Sequence, residues 1–389
     1  MLNDKVLILF GAPGSGKSES CNLLNKITNN KLKVLQKETT RPARTTDSSE
    51  ILSVEKISKD CDIRYNQYGY EYGFSSKLIW KHLAKGNSVI VIVNDIRTIK
   101  ILNKKFGSLT QNIYIHSNID REKITKIAIE RYKDKPSDFL NKDIDRRIEK
   151  IKTIHRKYIE NTYLFHTSII NLYEEIDYNK SILELETQLK QAYLKNISCT
   201  HFSGSTSRII IVAGGSFSGK DDLVNAMVQI EPEKTLLYQK GTTRPKKEDD
   251  KNELIHSPPK LAKKYNIQYE KNGYRYGLST KEIWNKLAKQ KIVLIVLSDL
   301  ESILELKKDF NNICTVIYLH ANIDKEEMTI AKQNMDKSEF EKRERSIKEL
   351  HTTYTHNMDI FNHVLLNTSE SEDLYDQAFN ILDFYLGAR

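Results

Sequence analysis

Short apolar runs alternate with longer amphipathic stretches along the whole chain. The runs "KVLILF" (5–10) and "IIIVA" (209–213) are continuous and rich in β-branched residues, a pattern typical of buried strands. Each is followed by a glycine-rich loop and then by a helix-like stretch, "ESCNLLNKI" (19–27) or "DLVNAMVQI" (222–230). This alternation predicts an α/β fold in which helices flank a parallel sheet.

The same landmarks occur twice, in the same order. The segments "TTRPAR" (39–44), "YGYEYGFSSKLIWKHLAKG" (68–86) and "IYIHSNID" (113–120) recur as "TTRPKK" (242–247), "NGYRYGLSTKEIWNKLAKQ" (272–290) and "IYLHANID" (317–324). Gly11 corresponds to Gly214 and Trp80 to Trp284, so the offset stays at 203 to 204 residues. A stable offset indicates a duplicated domain of ordinary size. We therefore predict two tandem domains, 1–195 and 208–389, joined by the small, polar linker 196–207.

Composition narrows the class of protein. The chain has 389 residues, 39% hydrophobic and 29% charged, and it contains no apolar run of the ~18 residues that a membrane span needs. The N-terminus enters a predicted strand directly and the four cysteines are scattered, which favours a cytoplasmic protein with reduced thiols. A net charge of +9 favours anionic partners, although a lysine-rich solubilising surface gives the same balance. The sequence carries no RNP or zinc-finger signature, so we expect no specific nucleic-acid partner and no membrane partner.

The loop after the first predicted strand, "GAPGSGKS" (11–18), fits the complete phosphate-binding pattern G-x-x-x-x-G-K-[ST]. Glycines let backbone N–H groups approach a triphosphate closely. We expect Lys17 to contact the β and γ phosphates of ATP and the Ser18 hydroxyl to bind Mg²⁺. A ligand-free strand–helix turn is the alternative. The predicted nucleotide-binding residues of this loop are Gly11, Ala12, Pro13, Gly14, Ser15, Gly16, Lys17 and Ser18.

The corresponding loop of the second copy, "GGSFSGKD" (214–221), is altered. Gly214, Gly219 and Lys220 fit the pattern, but Asp221 stands where the Mg²⁺-binding hydroxyl belongs. A carboxylate there adds negative charge beside the phosphates, although it could also ligate Mg²⁺ directly. We predict a degenerate nucleotide site in this copy.

Residues after the first loop are candidates for an acceptor site. Arg41 and Arg44 lie three residues apart, and two guanidinium groups at that spacing can grip one phosphate; an exposed basic turn is the alternative. Tyr72, in "YGYEYG" (68–73), could donate to a phosphate or pack in the core. Asp95 and Arg97 follow an apolar strand, at the edge where α/β sheets bind ligands. Asp95 could orient Mg²⁺ or an acceptor hydroxyl, or it could cap a helix.

Two amphipathic helices joined by the polar turn "KDKPSD" (133–138) predict a hinged helical lid. Arg131 ends the first helix, and Arg146 and Arg147 enter the second. Lid arginines can close on a transferring phosphoryl group and stabilise its charge. A solvated, charged helix face is the alternative.

Together these motifs resemble the guanylate kinase superfamily of nucleoside monophosphate kinases. The first half follows the family's order: P-loop, T-T-R-x-x-R, Y-G, a strand ending in Asp, a lid with separated arginines, and a final strand, here "SIIN" (168–171). The resemblance extends over both halves of the chain. The resemblance implies a phosphotransferase in which Tyr72 contacts the acceptor phosphate and Asn171 lies near the adenine. It assigns phosphate contacts to Lys17, Arg41, Arg44, Arg131 and Arg147.

Two positions depart from guanylate kinases. Those enzymes follow Y-G with Thr or Ser and place a Glu about nine residues earlier to read guanine, whereas this chain has Phe74 and Ile63. The segment from Gly69 to Arg97 looks more like the ribose bisphosphate phosphokinases of the same superfamily, which phosphorylate a phosphosugar. We therefore expect a phosphorylated small-molecule acceptor, either a phosphosugar or a nucleoside monophosphate. Guanylate kinase activity proper and a non-catalytic protein-interaction module are the alternatives.

The second copy departs at further catalytic positions. Lys247 replaces the second arginine of the pair, and "AKQNMDK" (331–337) offers no counterpart of Arg131, although Arg343 and Arg345 remain in the next helix. We interpret 208–389 as a degenerate kinase domain with a regulatory or structural role, through which a protein partner could bind.

Overall fold

The structure, a computed structural model, describes most of the chain. The described ranges are 5–43, 50–67, 69–117, 124–125, 129, 137–171, 178–195, 208–215, 218–246, 253–257, 260–289, 292–321, 337–367 and 371–387. Contacts divide the chain into two compact units, Met1–Cys199 and Thr200–Arg389. The predicted linker 196–207 lies outside the described residues, so the predicted domain boundaries stay a prediction.

Strands and helices alternate through the N-terminal unit. Its strands are β1 (Val6–Gly11), β2 (Leu32–Val34), β3 (Lys37–Thr39), β4 (Ile51–Ser53), β5 (Ile63–Gln67), β6 (Tyr70–Phe74), β7 (Ser88–Ile92), β8 (Thr110–Ser117) and β9 (Thr167–Asn171). Its described helices are α1 (Lys17–Ile27), α2 (Ser76–Leu83), α3 (Ile96–Phe106), α4 (Ser137–Ile159) and α5 (Tyr178–Leu194).

Five parallel strands form the main sheet of this unit, in the order β2-β7-β1-β8-β9. The central strand β1 is buried at every residue, and its neighbours β7 and β8 are buried almost throughout. Strands covered on both faces are apolar on both faces, which explains the continuous runs in the sequence. Because the strands are parallel, the carboxyl ends of β1, β7 and β8 meet at one edge of the sheet, where ligands bind in such folds.

A smaller mixed sheet follows the order β4-β3-β6-β5. β3 pairs with β4 in parallel and with β6 antiparallel, and β5 and β6 form an antiparallel pair. Burial alternates along β5, so this sheet presents one face to the protein interior and one to solvent. Both predicted acceptor motifs, "TTRPAR" and "YGYEYG", begin or end on its strands.

The C-terminal unit repeats this arrangement. Its strands are β10 (Arg208–Gly214), β11 (Thr235–Leu237), β12 (Lys240–Thr242), β13 (Leu254–His256), β14 (Ile267–Lys271), β15 (Tyr274–Leu278), β16 (Ile292–Val296), β17 (Cys314–Ala321) and β18 (His363–Asn367). Its described helices are α6 (Lys220–Ile230), α7 (Thr280–Leu287), α8 (Leu300–Phe310), α9 (Lys337–His356) and α10 (Ser371–Leu386). The strand orders are β11-β16-β10-β17-β18 and β13-β12-β15-β14, element for element those of the first unit.

The predicted fold class is confirmed: each unit is mixed α/β, with a parallel sheet, flanking helices and a P-loop-like strand–loop–helix. No helix in the described ranges combines the length and apolar character needed to cross a membrane. Cys21, Cys61 and Cys314 are buried free thiols, and Cys199 lies outside the described residues.

Candidate active site at the N-terminal P-loop

The loop between β1 and α1 has the backbone geometry of a phosphate cradle. Gly16, which precedes α1, has a left-handed φ of 91°, a conformation that favours glycine. A Cβ on Gly11 would stand 2.7 Å from both the Ile115 carbonyl oxygen and Ser15 Oγ, so only glycine fits where the strand leaves the sheet. The loop ends at the N-terminus of α1, where N–H groups and the helix dipole attract anions. Ser15 Oγ is buried there and has no hydrogen-bond partner in the described part of the chain.

Lys17, the first residue of α1, bends back over this loop. Its ammonium donates to the carbonyl oxygens of Gly11 (2.9 Å) and Ala12 (2.6 Å). Burial, aided by repulsion from Lys37, lowers the pKa of Lys17 to about 8. The next residue, Ser18, is exposed on α1. The predicted cation and the predicted Mg²⁺ ligand are therefore the first two residues of α1, directly after the loop.

Asn171, at the end of β9, braces the same loop. Its Nδ2 donates to the Ser15 carbonyl oxygen at 3.1 Å, and a Cβ on Gly16 would stand 2.6 Å from that nitrogen. The structure thus gives Asn171 a contact that holds the loop in place. Its predicted position near the adenine stays a prediction.

Arg41 lies just beyond β3 with only 7% of its surface exposed. Its Nη1 donates to the Pro42 carbonyl oxygen at 3.1 Å, and its backbone N–H donates to Thr39 Oγ1 at 3.1 Å. The exposed-turn interpretation therefore does not describe Arg41. Arg44 lies outside the described residues.

Tyr72 packs face to face with Tyr65 on the adjacent strand, with ring centroids 5.2 Å apart and planes 10° apart. Tyr72 is buried, and burial raises the pKa of the Tyr65 hydroxyl above its ordinary value. Repulsion from the nearby acidic groups Asp95 and Glu50 acts in the same direction. Packing, the alternative interpretation of Tyr72, is thus the contact that the structure contains, and its contact with an acceptor phosphate stays a prediction.

Ile63 and Phe74, the two residues that depart from the guanylate kinase pattern, are direct cross-strand partners in the β5–β6 pair. Each is only 1% exposed. An apolar pair in the core offers no hydrogen bond to a base, and a site that lacks such bonds discriminates poorly for a polar group. The predicted preference against guanine stays a prediction.

Asp95 caps α3. Its Oδ2 accepts from the Thr98 backbone N–H at 2.7 Å and from Thr98 Oγ1 at 2.6 Å. Helix capping, the alternative interpretation of this residue, is thus the contact that the structure contains, and a catalytic role stays a prediction. Arg97, in the first turn of the same helix, is exposed.

The second predicted lid helix is present as α4, and its two arginines share one carboxylate. Arg147 Nε donates to Asp143 Oδ2 at 2.6 Å, and Arg146 Nη2 donates to Asp143 Oδ1. Burial pushes the pKa of Asp143 upward, but the hydrogen bonds from Arg147 and Arg146 outweigh it and hold that pKa below its ordinary value. Arg131 lies outside the described residues, and the predicted contacts of Arg131 and Arg147 with phosphate stay predictions.

Sequence reasoning missed Lys37. This residue opens β3 and is 9% exposed, and its ammonium donates to the Ile92 carbonyl oxygen at 2.9 Å. Ile92 is the last residue of β7, so the charge lies at the carboxyl edge of the main sheet, where ligands bind in such folds. A signal was present in the repeat, since "LQKETT" (35–40) and "YQKGTT" (238–243) both carry the lysine.

The described residues of the C-terminal glycine loop, 214–215 and 218–221, share several features with the first loop. Gly219 has a φ of 81°, and the Asn367 Nδ2 donates to the Ser218 carbonyl oxygen at 3.0 Å. Lys220 donates to the Gly215 carbonyl oxygen at 2.5 Å. Burial lowers the pKa of Lys220 to about 8, against the opposing attraction of Asp221 in the first turn of α6. Lys247 lies outside the described residues.

Comparisons with known proteins give only distant matches. No family model matches the chain, and no curated protein matches its sequence. Among solved structures, a guanylate kinase from Anaplasma phagocytophilum is similar at 14% identity and a TM-score of 0.33, over 49% of this chain and 87% of that one. The NadR protein in complex with NR is similar at 12% identity and a TM-score of 0.23, over 99% of this chain and 97% of that one. At these TM-scores neither likeness defines a function.

Proposed function

We propose that the N-terminal unit is an ATP-dependent kinase that transfers the γ-phosphoryl group to a phosphorylated small molecule. The observation that carries this proposal is the Lys17 ammonium, held over a complete glycine loop by two backbone carbonyls. Lys37, whose ammonium lies at the carboxyl end of β7, repels the same cation. This proximity supports a site that combines donor and acceptor groups at one edge of the sheet.

Phosphoryl transfer consists mainly of positioning and charge neutralisation, and each candidate residue has one of these roles. Lys17 exchanges its two loop carbonyls for phosphate oxygens, which are stronger acceptors for an ammonium. Arg41 and Arg44 hold the acceptor phosphate, and Arg131 and Arg147 close over the transferred group. The loop fits a phosphate by its glycines and its helix N-terminus, and Ser18 would hold Mg²⁺. When bound, Mg²⁺ neutralises charge on the phosphates.

We propose that the C-terminal unit is non-catalytic and serves a regulatory or structural role. Its loop keeps the lysine and the glycine geometry, but Asp221 takes the place of the hydroxyl at the start of α6. A carboxylate beside the phosphates opposes their binding by like-charge repulsion. A weakened or altered anion site therefore accounts for this loop better than a second transferase.

Turnover of ATP with a panel of acceptors tests the proposal. Purified full-length protein is mixed with Mg-ATP and with ribose 1,5-bisphosphate, ribose 5-phosphate, AMP or GMP, and ADP release is followed. We expect acceptor-dependent turnover that Lys17→Ala lowers by several orders of magnitude. The matched variant Lys220→Ala should keep most of it. Equal loss in both variants would show that the second site is catalytic, and unchanged turnover in Lys17→Ala would overturn the proposed function.

A further inference from the structure

Gln67, the last residue of β5, has a buried polar atom that the fold does not use. Its side-chain Nε2 is shielded from solvent and has no hydrogen-bond partner in the part of the chain that the structure describes. The preceding residue, Asn66, is exposed, so its amide is open to water. A buried amide N–H without an acceptor is costly, so the Gln67 amide calls for an explanation.

Strand register places Gln67 on the face of the small sheet that carries candidate site residues. Thr39 pairs with Tyr72, and Tyr72 pairs with Tyr65, so these three side chains form one row on one face. Side chains alternate along a strand, so Lys37 lies on this face two residues before Thr39. Gln67 lies on the same face, two residues after Tyr65. The Lys37 ammonium reaches the carboxyl end of β7, so this face is turned toward the edge of the main sheet where ligands bind in such folds.

The candidate phosphate-binding residue Arg41 enters the same region from the other side. Arg41 follows β3, Gln67 ends β5, and β6 lies between these two strands. Adjacent strands lie ~4.8 Å apart, so two strands separated by a third are about 10 Å apart. A small acceptor whose phosphate is held by Arg41 can span that gap with the rest of its body. Gln67 is therefore placed to contact a part of the acceptor other than this phosphate.

The equivalent residue of the C-terminal unit indicates what this position faces. The hairpins β5–β6 and β14–β15 pair residue for residue, so Lys271, the last residue of β14, is the counterpart of Gln67. The Lys271 ammonium repels Lys220 of the C-terminal P-loop and is attracted by Asp299 and Glu253. A side chain at this position thus faces the P-loop side of its unit. In the C-terminal unit it interacts with charges of the unit itself, whereas the Gln67 donor is left unused.

The chemistry of the unused group defines what it would bind. An amide N–H is a neutral donor, and the stacked rings of Tyr65 and Tyr72 are its neighbours on this face. Phosphate oxygens form their strongest hydrogen bonds with cationic side chains, which the site supplies separately. A neutral, buried donor suits a hydroxyl or carbonyl oxygen, and it discriminates against a ligand that lacks that oxygen.

We propose that Gln67 binds the acceptor, with its Nε2 donating to a hydroxyl or carbonyl oxygen outside the phosphate that Arg41 holds. The inference rests on the proposed function for the identity of the bound molecule, and it adds a specificity residue to that site. The donor is satisfied only in the complex, so it contributes to acceptor binding and not to the fold.

Binding calorimetry on the full-length protein tests this assignment with ribose 5-phosphate and AMP as probes. Gln67→Leu removes the donor and leaves a side chain of similar size. We expect it to weaken binding of each probe that wild type binds by about ten- to a hundred-fold, as for the loss of one buried hydrogen bond. Mg-ATP affinity should stay within about two-fold. Asn66→Leu, the matched control on the opposite face of β5, should change none of these affinities.

Two binding results would overturn the inference: equal affinity of Gln67→Leu and wild type for the probes, or no binding of either probe to wild type. The turnover assay separates these results from failure of the proposed function. Probe binding that depends on Gln67 in a protein without turnover would refute the kinase and keep the binding residue. Turnover that Lys17→Ala abolishes, with probe binding unchanged in Gln67→Leu, would refute the Gln67 assignment alone.

Thermal melting distinguishes a binding role of Gln67 from a structural one. Removal of an unsatisfied buried donor breaks no hydrogen bond of the free protein, so Gln67→Leu should melt at or above the temperature of wild type. A lower melting temperature would show that the amide serves the fold and would overturn the assignment. Gln67→Glu is the second variant, because it keeps the shape of the side chain and replaces the donor with a carboxylate oxygen. It should weaken binding of the phosphorylated probes at least as much as Gln67→Leu, and unchanged binding would count against the assignment.

Discussion

The ionisation of Lys17 makes binding of Mg-ATP to the P-loop depend on pH. With a pKa of about 8, this lysine is half deprotonated near pH 8 in the free protein. A bound triphosphate favours the charged form and raises that pKa, so binding of Mg-ATP above pH 8 must take up a proton. We predict close to one proton taken up at pH 9 and little at pH 7, measured by calorimetry in buffers of different ionisation enthalpy.

Lys17→Arg is the control for this proton uptake, because a guanidinium stays charged throughout the range. The variant should bind Mg-ATP with that uptake abolished. Uptake that persists in Lys17→Arg would assign the proton to another group, such as Lys220, whose pKa is also about 8.

Substitution of Gly11 tests whether the shape of the loop requires a residue without a side chain at this position. A Cβ there would stand 2.7 Å from a backbone oxygen of β8 and from Ser15 Oγ. We predict that Gly11→Ala lowers the free energy of unfolding by about 1–3 kcal/mol, because the central strand cannot shift freely. Gly69→Ala is the comparison, since no atom lies within 4 Å of its Cβ position and only the strain of a positive φ remains. Denaturant unfolding of both variants measures the difference, and equal losses would contradict the steric explanation.

At the scale of the element, α3 and α8 begin with the same cap. Asp95 caps α3 through Thr98, and Asp299 caps α8 through Ser302, with carboxylate oxygens accepting at 2.7 and 2.9 Å from the backbone N–H groups. Asp95→Ala and Asp299→Ala should therefore each lower the free energy of unfolding by about 1 kcal/mol. Only Asp95→Ala should also lower turnover if the predicted catalytic role holds. Unfolding and turnover measured on both variants show whether Asp95 only caps its helix or also takes part in catalysis.

The helix α4 holds Arg146 and Arg147 on Asp143, which is buried. Since its folded pKa lies below the ordinary value, Asp143 contributes stability that is present above about pH 4 and is lost as pH falls through the folded pKa. We predict that Asp143→Asn lowers the free energy of unfolding by about 1–3 kcal/mol at pH 7 and that the gap to wild type narrows below pH 4. Urea unfolding of both proteins across that pH range tests the prediction. A difference in the free energy of unfolding that is constant with pH would mean that the charge of Asp143 does not cause it.

At the scale of the whole molecule, the two units share one topology but differ at the first turn of the P-loop helix. We predict that Asp221→Ser, made in a full-length Lys17→Ala background that silences the first loop, binds Mg-ATP about ten- to a hundred-fold more tightly. The substitution removes a like charge beside the phosphates and restores a hydroxyl ligand. Calorimetry against Lys17→Ala alone measures the gain, and tight binding without the substitution would mean that Asp221 is itself a working ligand.

The sequence by itself determined the α/β class, because that class follows from local patterns. Continuous apolar runs predict doubly covered strands, and a glycine loop between a strand and a helix predicts the P-loop shape found at both Gly16 and Gly219. The repeated segments predicted a duplicated domain, and the two units have matching strand orders.

Only the tertiary structure decided which buried lysine forms an ion pair with a carboxylate. Lys37 and Lys240 occupy equivalent places in the sequence, yet the ammonium of Lys240 lies 3.9 Å from a carboxylate, and Lys37 has no such ion pair in the described ranges. Likewise, the pairing of Ile63 with Phe74 depends on strand register. The energy of a charge or a contact depends on distances between segments far apart in the chain, and these distances are set by packing rather than by local sequence.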